Sequence, residues 1–209
     1  MKVLLLNGSP RGEKCTYTAL KVAADELLKN GIEAEIFNIE SDAVRGCIGC
    51  GTCFRTKSGK CTFDNDNVNT FIDKMKDCDG LIVGSPVHYA AAGGAISSFL
   101  DRAFYAGSSS FAYKPGAAIV SCRRGGASAA LDQLNKYFTI AQMPIVSSNY
   151  WNMVHGNTPE EVLKDEEGIQ TVRILAKNMA WLLKSIEAGK NIGIEKPDAE
   201  QKIRTNFIR

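Results

Sequence analysis

The stretch VLLLNGSPRGEKCTYTALKVAADELLKNG, residues 3–31, contains the two patterns that decide the fold. Residues 3–6 form a short apolar run that ends at Asn7-Gly8-Ser9-Pro10, as a strand buried on both faces ends at a loop. From residue 16 to residue 30 the apolar side chains recur at helical spacing, and Gly31 follows directly. The stretch therefore predicts a buried strand, a glycine-bearing loop and an amphipathic helix.

The same alternation continues along the chain. Further strands are predicted at residues 33–39, 80–86, 117–122 and 144–148, and helices at residues 66–76, 93–104, 127–142 and 159–188, the last with a weak point at Gly168. Alternating strands and helices indicate a parallel sheet covered on both faces. We predict an α/β fold of the flavodoxin-like, doubly wound type, with a five-stranded parallel sheet in three α/β/α layers. A single domain at residues 1–190, with a cysteine-rich insertion loop at 41–66, would precede a C-terminal arm at 191–209.

Composition narrows the class of protein. The 209 residues are 44% hydrophobic and 23% charged, which is typical of a globular domain, and the net charge of +2 favours neither a nucleic acid nor a membrane as partner. The first apolar run is shorter than a signal peptide requires, and no later window reaches the length of a membrane span, so we expect a cytoplasmic protein. In that compartment, seven cysteines with one tight cluster indicate metal binding or redox chemistry rather than disulfides.

Three polar loops should meet at one edge of the sheet, because they follow the first, third and fourth strands: NGSPRGEKCTYT, GSPVHYAAAGG and SCRRGGAS. The first offers the hydroxyls of Ser9, Thr16 and Thr18, the guanidinium of Arg11 and the amides of a helix start, which suits a phosphate. It lacks the Gly-Lys-Ser/Thr of a P-loop and the G-x-G-x-x-G of a dinucleotide site. The alternative is a helix cap beside a solvated arginine.

The other two loops suit a flat ring. Tyr89 could border such a ring and His88 could hydrogen-bond its edge, although a proline turn with a surface imidazole is the alternative. Arg123 and Arg124, beside two glycines, would place positive charge where a reduced flavin gathers negative charge, unless they form a solvated basic turn.

Together these motifs resemble the NAD(P)H-dependent FMN reductase family of flavodoxin-like proteins. The resemblance rests on GSPR with CTYT after the first strand, on GSPVHY with the later FLDR, and on the glycine-bearing turn after the fourth strand. It implies FMN as cofactor and NAD(P)H as co-substrate, with no catalytic side chain required, although His88 or Tyr89 could donate a hydrogen bond to flavin or acceptor. The implied phosphate residues are Ser9, Arg11, Cys15, Thr16 and Thr18, with Tyr17 beside them; the implied ring residues are Pro86, Val87, His88, Tyr89, Ser121, Arg123, Arg124, Gly125 and Gly126.

The segment GCIGCGTCFRTKSGKCTF, residues 46–63, holds the candidate metal ligands Cys47, Cys50, Cys53 and Cys61 in the spacing C-x2-C-x2-C-x7-C. Overlapping C-x-x-C steps let one loop place three thiolates around a compact object. The segment resembles the cysteine motif of iron–sulfur flavoproteins, a branch of the same family, which implies a [4Fe–4S] cluster. The long gap before Cys61 leaves free thiols as an alternative, with zinc or disulfides also open.

Three other cysteines and one aromatic segment complete the candidates. Cys15 lies in the predicted phosphate loop, whereas Cys78 and Cys122 are interpreted as small buried side chains. The aromatics of residues 149–155 could cover a flavin, in their own subunit or across a dimer interface. The alternative is that Trp151 packs under the long final helix.

Three functional hypotheses follow. The first is an FMN-dependent NAD(P)H oxidoreductase that reduces a small acceptor such as a quinone, a nitro or azo compound, or free flavin. The second is an iron–sulfur flavoprotein that transfers electrons from a ferredoxin-like donor to a downstream acceptor. The third is a binding module with a structural zinc and no redox role. A homodimer or homotetramer is expected by analogy with the family.

Overall fold

The computed structural model describes residues 1–39, 43–198, 200, 201, 203, 205 and 207, so the predicted cysteine-rich loop 41–66 and the predicted arm 191–209 each include residues outside this description. The elements, in chain order, are β1 Lys2–Asn7, α1 Cys15–Lys29, β2 Glu33–Asn38, α2 Thr52–Thr56, α3 Val68–Lys76, β3 Gly80–His88, β4 Ala91–Ala92, α4 Gly94–Phe111, β5 Gly116–Cys122, α5 Ala127–Ile140, β6 Met153–His155, α6 Pro159–Lys164 and α7 Glu166–Asn191. Within the described residues, no helix is long and apolar enough to cross a membrane.

A parallel sheet in the order β2-β1-β3-β5-β6 forms the middle layer, which confirms the predicted flavodoxin-like architecture. The strand β1 lies between β2 and β3, with Leu5 opposite Ile36 on one side and Ile82 on the other. Successive side chains of a strand point to opposite faces. Leu4 therefore packs in a core with α3, α4 and α5, while Leu5 packs in a second core with α1 and α7. This is why residues 3–6 are all apolar.

The last strand does not lie where the sequence pattern predicts it. Of residues 144–148, only Ile145 forms an isolated parallel bridge, to Gly116, and the strand proper is Met153–His155. The chain leaves the sheet after this bridge and rejoins it where the amide of Val120 donates to the carbonyl of Asn152 at 3.0 Å. One edge strand is thus interrupted by a loop, and the loop follows the apolar residues that produced the prediction.

The long C-terminal helix is broken at Asp165 rather than at Gly168. The carboxylate of Asp165 accepts hydrogen bonds from the amide of Gly168, at 3.0 Å, and from the amide of His155, at 2.6 Å. A Cβ at Gly168 would lie 2.3 Å from Asp165 Oδ2, so the glycine is needed for this cap. The predicted weak point is therefore the third residue of α7, and the break lies before it.

Candidate functional site

The loops after β1, β3 and β5 meet at the carboxyl edge of the sheet, as predicted, and the loop after β6 joins them. They enclose a cavity of about 200 Å³, which we call the rim cavity. It is lined by Ser9, Pro10, Arg11, Lys14, Cys15, Thr16, Pro86, Val87, His88, Ser121, Cys122, Arg123, Gly156 and Asn157. Most of the residues predicted to hold a cofactor are therefore brought together. Five lining residues are not among the predicted cofactor residues: Pro10, Lys14, Cys122, Gly156 and Asn157. Of these, Lys14 lies two residues before the predicted helix start, which is a signal for a cation beside a helix N-terminus.

Six predicted residues do not line this cavity: Tyr17, Thr18, Tyr89, Arg124, Gly125 and Gly126. The hydroxyl of Thr18 donates to the carbonyl of Lys14 at 3.1 Å, so it is engaged within the helix. Gly126 packs against the turn after β3. Its φ is +90°, and a Cβ there would lie 2.5 Å from the Cα of Ala90. This glycine positions the loop that carries Arg123 against β3.

The turn after β3 is strained. β3 and β4 pair as an antiparallel hairpin, with Tyr89 and Ala90 as its two turn residues at φ values of 49° and 59°. Two-residue hairpins of this kind favour Asn or Gly at both positions, because side chains disfavour positive φ. The Tyr89 side chain is fully exposed at the tip. Residues with strained backbones cluster at functional sites. Tyr89 and Ala90 directly follow Val87 and His88, which line the cavity, but do not line it themselves.

The charged side chains that line the cavity are cations. Arg11, Lys14 and Arg123 line it, and none of the described residues that line it is acidic. Lys14 is the N-cap residue of α1, and in the described part of the chain no side chain caps this helix. The first-turn amides are thus available to an anion, and the helix dipole adds positive potential. Burial raises the pKa of the Cys15 thiol, which keeps this side chain neutral beside the cations.

These features fit the phosphate end of FMN. Hydroxyls from Ser9 and Thr16, two cations and free helix amides are the donor set that a phosphate dianion requires. The cavity is smaller than the roughly 300–1,000 Å³ of a typical small-molecule pocket, so it encloses only part of a flavin nucleotide.

A larger cavity lies elsewhere. It measures about 860 Å³ and is lined by Met1, Asp79 and Pro115, which directly precede β1, β3 and β5, among other residues. It therefore lies at the amino ends of the strands. Open parallel sheets bind their ligands at the carboxyl ends. Cavity volume alone would therefore identify the wrong end of the sheet as the ligand-binding end.

The four cysteines predicted as metal ligands line a third cavity, of about 200 Å³, which we call the cysteine cavity. They are Cys47, Cys50, Cys53 and Cys61, and Arg102 and Tyr105 of α4 line it with them. Gly49 and Gly51 both have a φ of +66°, which lets the chain turn tightly between the cysteines. All seven cysteines are free thiols. The disulfide alternative is therefore wrong for this structure.

Among the described residues, no three His, Cys, Asp or Glu side chains are arranged to hold a metal ion. The four thiols that line one cavity match in number the four thiolates that hold an iron–sulfur cluster. The amide and hydroxyl of Thr52 also hold the pKa of the Cys50 thiol below its ordinary value, whereas burial raises the pKa of Cys53.

Arg102 joins α4 to the cysteine segment. Its buried side chain donates from Nε to Cys61 Sγ at 3.3 Å and from a terminal nitrogen to the carbonyl of Phe63 at 2.8 Å, and it forms an ion pair with Asp66. Burial lowers the pKa of Arg102, but the hydrogen bonds to Asp66 and Cys61 outweigh burial and the pKa is raised. The guanidinium is therefore always charged. Arg102 is the last residue of the FLDR motif, and the motif alone does not indicate this role.

The remaining candidates divide. Cys78 and Cys122 are buried, as predicted. Trp151 is 58% exposed, and its ring lies 4.9 Å from that of Tyr150, so the interpretation that it packs under the final helix is wrong.

Comparison with known proteins agrees with this geometry. Residues 1–158 match a family model described as NADPH-dependent FMN reductase. An iron–sulfur flavoprotein from Methanocaldococcus jannaschii is 31% identical over 196 residues, which cover 90% of this chain and 100% of that protein. A crystal structure of RosB with a bound flavin intermediate superposes with a TM-score of 0.70 at 16% identity, over 99% of this chain and 92% of the other. An archaeal flavodoxin superposes with a TM-score of 0.59 at 14% identity, over 88% and 99%.

Proposed function

Because this chain belongs to the NADPH-dependent FMN reductase family and is a flavoprotein oxidoreductase, we propose that it carries a [4Fe–4S] cluster beside its FMN and transfers electrons between the two. The family membership confirms the resemblance drawn from the sequence motifs. The observation that carries the proposal is that Cys47, Cys50, Cys53 and Cys61 line a single cavity. The full-length similarity to an iron–sulfur flavoprotein supports it.

The residues of the first cavity have separate roles in this proposal. Arg11 and Lys14 neutralise the phosphate of FMN, and the first-turn amides of α1 hydrogen-bond to it. His88 lines the cavity and can donate a hydrogen bond to the ring, while Arg123 stabilises negative charge on it. When bound, the flavin can exchange two electrons with a hydride donor and one with a cluster.

We propose NADPH or NADH as the electron source, because the family is named for its dependence on NADPH. The acceptor would be a small molecule such as a quinone, a nitro or azo compound, or free flavin. The exposed aromatic side chains of Tyr89, Tyr150 and Trp151 could bind a planar acceptor or the partner of a homodimer or homotetramer. A cytoplasmic location suits both reduced cysteines and a nicotinamide donor.

A second electron source is favoured by the charge of the cysteine segment. This segment, residues 46–63, contains Arg55, Lys57 and Lys60 and no acidic residue, and Arg45 directly precedes it. Lys60 forms an ion pair with Asp73, so Arg45, Arg55 and Lys57 supply the positive charge. Positive charge around the cysteine cavity would steer an acidic, ferredoxin-like donor toward it. In that case the protein is an electron-transfer flavoprotein and the nicotinamide is not its donor.

One anaerobic experiment tests these proposals. Protein purified without oxygen is analysed for flavin, iron and acid-labile sulfide, and its visible spectrum is then recorded after addition of NADPH, NADH or a reduced ferredoxin. About four irons per chain together with FMN are expected. Rapid bleaching by a nicotinamide supports the reductase, and bleaching only by ferredoxin supports the second candidate. Flavin without iron or sulfide, even after reconstitution, would contradict the cluster.

A further inference from the structure

We propose that Arg102 is a positioning residue for the cysteine cavity: it holds the distant fourth ligand, Cys61, in place and raises the reduction potential of the cluster through an N–H···S hydrogen bond. This inference rests on the proposed function, since it requires that the cavity hold a cluster. It goes beyond it in naming the residue that sets the electrochemical property of the site.

The first support is the burial of Arg102. Its side chain has no exposed area, and that of Asp66, its ion-pair partner, is only 8% exposed. Arginine is rarely fully buried, because removing a charge from water is costly and the ion pair repays this cost only in part. Three of its contacts are with residues 61–66, which include the proposed ligand Cys61. They are the sulfur of Cys61, the carbonyl of Phe63 and the carboxylate of Asp66.

The second support is the anchoring of Cys61 from two directions. Asn69, at the start of α3, accepts a hydrogen bond from the Cys61 amide at 2.8 Å and donates to its carbonyl at 2.9 Å. Asn69 thereby fixes the backbone, and Arg102 contacts the sulfur from α4. Cys61 follows Cys53 after a seven-residue gap, so these anchors supply what sequence spacing does not. Its sulfur lines the same cavity as the other three.

The electrostatic consequence has a definite sign. A reduced cluster carries one more negative charge than an oxidised one, and a hydrogen bond from a cation to a ligand sulfur stabilises the reduced form more. Low dielectric strengthens this effect, and Arg102 is buried. Removing the hydrogen bond should therefore lower the midpoint potential while leaving the ligand set intact.

The test uses two variants and a matched control. Arg102→Lys keeps the buried positive charge but loses the planar fork that serves three acceptors. Arg102→Met combined with Asp66→Asn removes both buried charges, so that neither is left unpaired. The control, Arg173→Lys, makes the same exchange on α7, which packs on the opposite face of the sheet from α4. Each protein is measured for secondary structure by circular dichroism, for iron and sulfide, and for midpoint potential by EPR-monitored titration.

We expect the double variant to fold and its equilibrium constant for reduction to decrease tenfold. This corresponds to a fall in midpoint potential of about 59 mV for a one-electron couple. Arg102→Lys should show a smaller fall, and Arg173→Lys none. A folded variant that loses iron while the control keeps it also supports the proposal, because Cys61 has then lost its anchor. Full iron with the wild-type potential in both Arg102 variants would overturn it. Should the double variant fail to fold, Arg102→Lys decides. Wild-type protein without iron would instead contradict the proposed function.

Discussion

Replacing Arg11 by alanine should weaken the binding of FMN and leave the binding of riboflavin unchanged. Arg11 lines the rim cavity beside Lys14, at the uncapped start of α1, and no described residue that lines this cavity is acidic. If the guanidinium meets the phosphate of FMN, its loss removes one charge-assisted hydrogen bond. Riboflavin lacks the phosphate and has no such bond to lose.

The magnitude follows from the exposure of the side chain. A hydrogen bond to a charged group contributes about 1.5–3 kcal/mol when removed. Arg11 is exposed, so solvent screens it and the lower end applies. At 1.4 kcal/mol per decade, we expect the Kd for FMN to rise roughly tenfold. Because the interaction is ionic, this difference should shrink as the salt concentration rises.

The Kd for FMN and the Kd for riboflavin are measured by titrating apoprotein with each flavin and monitoring the quenching of flavin fluorescence. Lys21→Ala is the matched control, since it removes one positive charge from the exposed side of the same helix, where Lys21 pairs with Asp25. Arg123→Ala provides a contrast. Because the proposed contact of Arg123 is with the ring, which both flavins share, its loss should weaken the binding of FMN and of riboflavin equally. Equal weakening of FMN and riboflavin by Arg11→Ala, or no weakening of either, would show that α1 does not hold the phosphate.

Three further predictions follow from the structure. Cys61→Ser should remove most of the iron from protein purified without oxygen, because Cys61 lines the cysteine cavity. The control Cys78→Ala, which changes a buried cysteine of the core, should keep the iron. Iron analysis measures both, and equal iron content in the two variants would contradict the proposed ligands. Gly126→Ala should lower the unfolding free energy by about 1–2 kcal/mol, because φ is +90° and the new Cβ would clash with backbone 2.5 Å away, as denaturant unfolding can measure. Glu35→Gln should destabilise the protein by about 0.5–1 kcal/mol at neutral pH, since hydrogen bonds to Lys2 and Lys74 lower the pKa of Glu35. A lowered pKa stabilises the fold above the ordinary value of 4.5, so this difference should disappear as the pH falls through the folded-state pKa.

The strands buried on both faces could be predicted from the sequence, because burial on both faces requires apolar or small side chains at nearly every position. Residues 3–6 and 80–86 are almost continuously apolar or small, and each became a central strand. Once the strands are parallel, the convergence of their following loops is a property of the topology rather than of any residue. This is why the cavity could be anticipated although its lining comes from four separate parts of the chain.

The mistakes have local physical causes. The last strand is interrupted, and the apolar run that suggested it pairs with the sheet only at Ile145. The hairpin of β3 and β4 has a two-residue second strand of alanines, which carries no periodic signal, and its turn residues Tyr89 and Ala90 lack the usual Asn-Gly signature. Lys14 lies at a helix start, which the sequence pattern places within two residues of it, whereas the buried ion pair of Arg102 with Asp66 is not visible in composition or spacing.

Helix α4 explains why two motifs of the resemblance occur together. Its start is tied to the end of β3, because the amide of Gly93 donates to the carbonyl of Pro86 at 3.1 Å, and Pro86 lines the rim cavity. Arg102 lies eight residues after Gly94 on this helix, or about 12 Å along its axis at 1.5 Å per residue, and reaches the cysteine cavity. GSPVHY and FLDR are thus the two ends of one rigid connection between the proposed flavin site and the proposed cluster site. An Arg102 variant that lowers the potential of the cluster only through the lost hydrogen bond should therefore leave the Kd for FMN unchanged. A change in that Kd would show that the variant also displaces α4.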